Sequence, residues 1–310
     1  MRWMFVMLLL LASCTPVEEG KGTEVYFCPR DDCGRVFEDN LQEANETVVC
    51  AFYELELESL INGIRETDAK LAIDEDNFRK DSYLYDGINA KGVKSRSIMH
   101  NKFCVIDEKI VITGSFNPTY RGNFKNNNNI VVLYSRYIAK NYLDEFNELW
   151  QDKRDKKVKH PKVFLNNNTV ENYFCPEDCE GRIVPLLESA EESIYFMTFS
   201  FTRDDMGQAL FNAHQKGLDV KGVCEKSQNN KWHEFEKLKG SGIDVKWDNN
   251  PANMHHKVFV IDNKTVVTGS MNPSKNGLER NDENVLILHN ERIAKEFLEE
   301  FECVCGVGDN

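Results

Sequence analysis

The feature that most restricts how this chain can fold is that much of it is written twice. Met99-His100-Asn101-Lys102-Phe103-Cys104-Val105-Ile106-Asp107 returns 155 residues later as Met254-His255-His256-Lys257-Val258-Phe259-Val260-Ile261-Asp262. The register then holds without a gap. Thr113-Gly114-Ser115-Phe116-Asn117-Pro118 matches Thr268-Gly269-Ser270-Met271-Asn272-Pro273, and Asn126 to Asn129 matches Asn281-Asp282-Glu283-Asn284. Ile138, Ala139, Lys140, Leu143 and Phe146 match Ile293, Ala294, Lys295, Leu298 and Phe301. Two copies at one long period call for two similar units. A chain of 310 residues with 41% hydrophobic content is long enough to give each its own core.

Each unit reads as alternating strands and helices. In the second, Ser193 to Phe201 is a strand-like apolar run, Asp204 to Lys216 a helix stopped by Gly217, and Val220 to Cys224 another strand. In the first, Thr47 to Tyr53, Glu54 to Arg65 and Lys70 to Ile73 repeat the order, so parallel pairing is expected. The motif follows as two strands turning at Asp107-Glu108, His100 to Ile106 and Lys109 to Thr113. His255 to Ile261 and Thr265 to Thr268 are their copies. Histidine and lysine two apart on one strand point to the same face. The expected fold class is therefore α/β, two similar lobes of mixed sheet flanked by helices, spanning 24–150 and 171–302. Residues 151–170, with the charged run from Gln151 to Pro161, read as a linker, and 303–310 as a tail.

Arg2 followed by the apolar run Trp3 to Leu11 is too short to cross a bilayer as a mature helix and reads as an export signal. Leu11-Ala12-Ser13-Cys14 looks like a lipoprotein lipobox. It would make 1–13 a signal peptide and leave Cys14 lipidated, with 14–23 a flexible tether to the membrane surface. An ordinary cleaved signal is the alternative. Export makes the ten cysteines interpretable, because disulfides persist outside the reducing cytosol. Cys28 with Cys33 and Cys175 with Cys179 lie in matching Tyr-Phe-Cys-Pro contexts, so each lobe is expected to begin with a small disulfide loop. Cys303 and Cys305 form a third close pair. Cys50, Cys104 and Cys224 lie in apolar runs and read as buried core thiols. A structural zinc on Cys28, Cys33, Cys175 and Cys179 is disfavoured by the spacings.

The repeated polar residues point to phosphoryl chemistry. Two histidines can divide a displacement, one attacking phosphorus and the other protonating the departing oxygen. Lys102 and Lys257 supply fixed positive charge, and the Asn and Ser donors add to it where negative charge develops. No metal or cofactor is required. The formal net charge of −13 gives no general attraction to polyanions, so phosphate recognition has to be local.

On these residues the chain resembles the phospholipase D superfamily, whose signature is H-x-K-x4-D followed by G-S-x-N. It matches twice, at His100, Lys102, Asp107, Gly114, Ser115 and Asn117, and at His255, Lys257, Asp262, Gly269, Ser270 and Asn272. The resemblance implies two lobes about a pseudo-twofold axis, one site between them, and hydrolysis through a covalent phosphohistidine. It also implies that a single chain suffices, a monomeric pseudo-dimer. His100 would be the nucleophile and His255 the general acid, the reverse assignment staying open. Asp107 and Asp262 are expected to hold backbone and neighbouring side chains rather than take part in chemistry. An acidic residue downstream of each motif orients a histidine in the family; Glu283 fits that place, and its counterpart is Asn128. The two histidines are therefore expected to be electrostatically unequal. His256, whose counterpart is Asn101, falls outside the set. The resemblance leaves a phospholipid head group and a nucleic acid as candidate substrates, and a phosphate-binding surface protein without turnover as the contrasting class.

Overall fold

The structure, a computed structural model, describes residues 17–19, 22–154 and 157–306. The expected signal peptide and Cys14 lie outside the described residues. The strands in chain order are β1 (Val17–Glu19), β2 (Thr23–Cys28), β3 (Val48–Phe52), β4 (Lys70–Asp74), β5 (Asn89–Val93), β6 (Lys102–Ile106), β7 (Ile110–Gly114) and β8 (Asn128–Tyr134). The second half adds β9 (Lys162–Leu165), β10 (Asn168–Cys175), β11 (Ser193–Thr198), β12 (Asp219–Cys224), β13 (Asp244–Trp247), β14 (Lys257–Ile261), β15 (Thr265–Gly269) and β16 (Glu283–His289). They form two sheets, ordered β2-β8-β7-β6-β3-β4-β5 and β1-β9-β10-β16-β15-β14-β11-β12-β13. In each, the three strands ending in β5 or β13 run parallel and the motif strands antiparallel, giving two mixed sheets of one plan.

The helices Arg136–Gln151 and Glu291–Val304 occupy equivalent places and start in the same way. Ser135 and Asn290 accept from the backbone N–H of Ile138 and Ile293 at 3.1 and 3.2 Å, satisfying a donor the first turn leaves open. Their apolar faces, Tyr142 and Phe146 on one and Ile293 and Phe297 on the other, fill a central cluster between the sheets. Val105 and Val131 reach it from one side and Val258 and Leu286 from the other. Each fully buried side chain of this size stabilises the fold by about 1.5–3 kcal/mol. Because one core serves both sheets, the lobes hold each other in place.

Three expectations need correction. The segment read as a linker holds β9 and the start of β10, joined through Asn166 and Asn167, both with positive φ, as in tight two-residue hairpins. Its alternation was hidden by the neighbouring lysines. Within the expected tether, β1 pairs in parallel with β9, so Val17–Glu19 are docked on the second lobe's sheet. Cys50 and Cys104, read as core thiols, are joined in a disulfide, because β3 and β6 pair antiparallel with these two residues directly opposite, Cα atoms 4.1 Å apart. Both are buried, and cross-strand register decides their fate. Cys28–Cys33 and Cys175–Cys179 are disulfides as expected, which leaves those four cysteines no role as zinc ligands. Cys224 is a buried thiol, and Cys303 and Cys305 are unpaired.

Candidate active site

Neither motif histidine lies on its strand. β6 and β14 begin at Lys102 and Lys257, and the residues before them cross to the opposite lobe. His100 N–H donates to Asp282 O at 2.8 Å and Asp282 N–H to Ile98 O at 3.0 Å; His255 N–H donates to Asn127 O at 2.8 Å and Asn127 N–H to Asn253 O at 2.9 Å. These paired bridges put each histidine beside the polar run of the other lobe. The backbone is braced from its own lobe by a carboxylate at or just beyond the end of the second parallel strand. Asp74 accepts from Met99 N–H at 3.0 Å, and Glu225 from Met254 N–H at 2.6 Å.

The side chains follow this exchange. His100 Nδ1 lies 2.7 Å from Glu283 Oε2, and His255 Nδ1 lies 2.9 Å from Asn128 Oδ1 and 3.1 Å from the Ser115 carbonyl. These acceptors hold Nδ1 of each ring as the protonated nitrogen and leave Nε2 available. Glu283 in turn accepts from Ser270 Oγ at 2.7 Å and Asn281 Nδ2 at 3.0 Å. Asn128 donates to Gly122 O at 3.0 Å and accepts from Ser115 Oγ at 3.3 Å. The serines can reach these groups because Gly114 and Gly269 bring the chain close to the next strand. A Cβ there would stand 2.2 Å from Asn129 O and 2.4 Å from Asn284 O, and both glycines have φ in the positive region.

Lys102 and Lys257 are buried, and each Nζ donates to the carbonyl of its own motif histidine, at 2.7 and 2.8 Å. Tyr53 and Phe199 close the same corners, their rings edge-on to His100 and His255 at 5.1 and 4.7 Å. Asn117 donates to Glu54 Oε1 at 2.7 Å, while the buried Oδ1 atoms of Asn117 and Asn272 have no partner.

Burial, reinforced by the ammonium groups of Lys102 and Lys257, holds His100 well below the ordinary imidazole value. Burial with Lys257, Lys102 and His100 does the same to His255. Each histidine thus feels the lysines of both motifs, and the two halves form one electrostatic cluster. Burial brings Lys102 down to about 8 and Lys257 well below its usual value, and it pushes Glu283 up to about 7. Burial therefore disfavours positive charge on both lysines and both histidines, and an anion among them would restore it.

Asp107 and Asp262 stand apart from this cluster. Each begins the turn five residues beyond its motif lysine, about 17 Å along the strand. Asp107 accepts from the backbone N–H groups of Asn45, Glu46 and Thr47, and Asp262 from those of Glu191, Glu192 and Ser193. These contacts hold both carboxyls below their usual value against the effect of burial. His256 is a structural group, bonded to Asn129 and Glu300 at 3.1 Å each. Tyr53, Glu54 and Phe199 escaped the sequence reading, since no repeated motif contains them.

The domain family described as cardiolipin synthase, phospholipase D-like domain, matches residues 38–150 and 183–304. The chain belongs to the phospholipase D superfamily. A phospholipase D of Rickettsia typhi is 34% identical over 148 residues, 47% of this chain and 72% of that protein. The human mitochondrial cardiolipin hydrolase is 34% identical over 128 residues, 41% of this chain and 50% of its own length. Each of these alignments spans less than half of the chain. The phosphatidylserine synthase structure of Haemophilus influenzae covers 91% of the chain and 86% of its own, with a TM-score of 0.68 at 13% identity, a likeness of fold. Enzymes of the phospholipase D superfamily act on phosphodiesters.

Proposed function

We propose that the protein is an exported phospholipase D-type enzyme that releases the head group of a phospholipid through a phosphohistidine intermediate. The observation that carries the reading is the crossed pairing of the histidines. Each Nδ1 is fixed by the opposite lobe, and each Nε2 has no hydrogen-bond partner among the described residues. Glu283 beside His100 stabilises positive charge on that ring, which is what an imidazole bonded to phosphorus carries. The negative charge of the bound phosphodiester offsets that of the two lysines, and His255 takes up a proton from solvent as substrate binds. His100 Nε2 then attacks phosphorus while His255, as imidazolium, gives its Nε2 proton to the departing alcohol oxygen. His255, now neutral, takes a proton from water; the resulting hydroxide attacks phosphorus, the P–N bond breaks, and His100 is restored. Lys102, Lys257, Asn117, Asn272, Ser115 and Ser270 form the surrounding charge and hydrogen-bond frame.

A lipid substrate is favoured by the short helix Tyr120–Phe124, whose Gly122 carbonyl is one hydrogen bond from Asn128. Tyr120 and Phe124 are 63% and 42% exposed, packed on one another and flanked by the exposed Arg121 and Lys125. Aromatic and basic side chains together suit the interface of an anionic membrane. At the same places the other lobe has Lys275 and Glu279, so the fold does not require the aromatics.

The test is turnover by the purified protein, without added metal, on vesicles of phosphatidylcholine or cardiolipin and on single- and double-stranded DNA. Head-group release, with label trapped on His100 by rapid denaturation in alkaline detergent and lost in His100→Asn, is the expected result. Cleavage of DNA alone would make the protein a nuclease, and binding without turnover a phosphate-binding surface protein.

A further inference from the structure

The two lobes differ at one packing position in a way that opens a cavity. In the first lobe Trp150 ends the long helix, its ring stacked on Phe146 at 5.5 Å and 22°. Lys91 Nζ stands 5.8 Å from the indole centroid and donates to the Trp150 carbonyl at 2.7 Å. The repeat carries Phe146 to Phe301 and Lys91 to Lys246, and strand register agrees. Lys91 lies opposite Ala72 on β4, and Lys246 opposite Val223 on β12. The residue at the place of Trp150 is Cys305. Beside Cys305 there is an open cavity of about 490 Å3, whose apolar wall is Tyr195, Leu298, Phe301 and Cys305 and whose charged lining is Lys221, Asp244, Lys246 and Glu302. Asn263, in the turn at the far end of β14 from Lys257, also lines it, which places it away from the histidines.

Three walls of an aromatic site are in place. Phe301 offers the face that Phe146 gives to Trp150, and Tyr195 packs against it at 5.4 Å, where β3 carries Val49. Tyr195 is itself fixed, its hydroxyl donating to Asp219 Oδ2 at 2.6 Å. Lys246, at the place of Lys91 in the repeat, lines the same cavity. A void left by a missing large apolar side chain is a binding site for a ring of similar shape, and about 150 Å3 is enough to hold benzene. A cation above the ring adds to the attraction.

We propose that this cavity binds a free, neutral planar aromatic molecule, seated on Phe301 with the Lys246 ammonium over its ring, as the indole of Trp150 is seated in the first lobe. The proposal is independent of the phosphodiester site. Indole is the probe. Titration calorimetry on the full chain should show saturable binding in the millimolar range or tighter, weakened at least tenfold by Cys305→Trp, which refills the cavity, and severalfold by Lys246→Met. Cys305→Ser should bind as the parent does. Should Cys305→Trp fail to fold, protection of the thiol serves instead. Indole should slow alkylation of Cys305 at least threefold while leaving the exposed Cys303 unaffected. Absence of saturable binding, or equal binding by a folded Cys305→Trp, or equal alkylation of Cys305 with and without indole, would overturn the proposal.

Discussion

At the scale of the residue, the telling position is Asn128. It and Glu283 occupy equivalent places, yet one presents an amide and the other a carboxylate to a histidine. An amide oxygen fixes a tautomer without stabilising imidazolium, so His255 gives up its proton readily, as suits a general acid, and holds it over a narrower pH range. Replacing Asn128 with Asp adds a carboxylate beside His255 and raises its pKa. If His255 is the acid, activity should persist to higher pH, the alkaline limb of the rate profile moving up by about one unit while the acid limb stays. Profiles that superimpose would reject the division of roles. The inequality itself was legible from the repeat. What the sequence could not show is that the partners are exchanged between lobes, because that depends on how two separately folded halves face one another.

At the scale of the element, the β3–β6 pair marks where one-dimensional reading stops. Cys50, Cys104 and Cys224 lie in equally apolar runs, and only the register that sets the first two opposite each other separates a cross-link from a core thiol. The bond spans 54 residues of sequence. Constraint of an unfolded loop of that length is worth about 4 kcal/mol on the chain-entropy account. Cys50→Ala with Cys104→Ala should therefore lower the unfolding free energy in urea by about that amount, leaving the folded fraction active. A loss below about 1 kcal/mol would show that the bond constrains little. The Asn166-Asn167 hairpin was within reach of the sequence, since two asparagines between alternating strands are a turn signal. The charged stretch just before it has the composition of a linker and masks that signal.

For the whole molecule, the repeat announced two lobes of one plan, and the mixed sheets follow from its alternating pattern. The shared core and the docking of β1 on the second sheet did not, because contacts between distant segments leave no local periodicity. The aromatic pair on one lobe gives the molecule a side. Tyr120→Ser with Phe124→Ser should reduce sedimentation with anionic vesicles and slow turnover on them about tenfold, while hydrolysis of a short soluble phosphodiester is unchanged. Equal losses on both substrates would place these residues in the chemistry instead of at the membrane.

The crossing of partners has a further consequence for inheritance. In an assembly of two identical subunits a single codon would write both partner groups, so both histidines would face Glu or both Asn. Here two codons, 155 residues apart, write them separately. Each can change while the other keeps its task, and a site that began as a mirror can become a division of labour one substitution at a time.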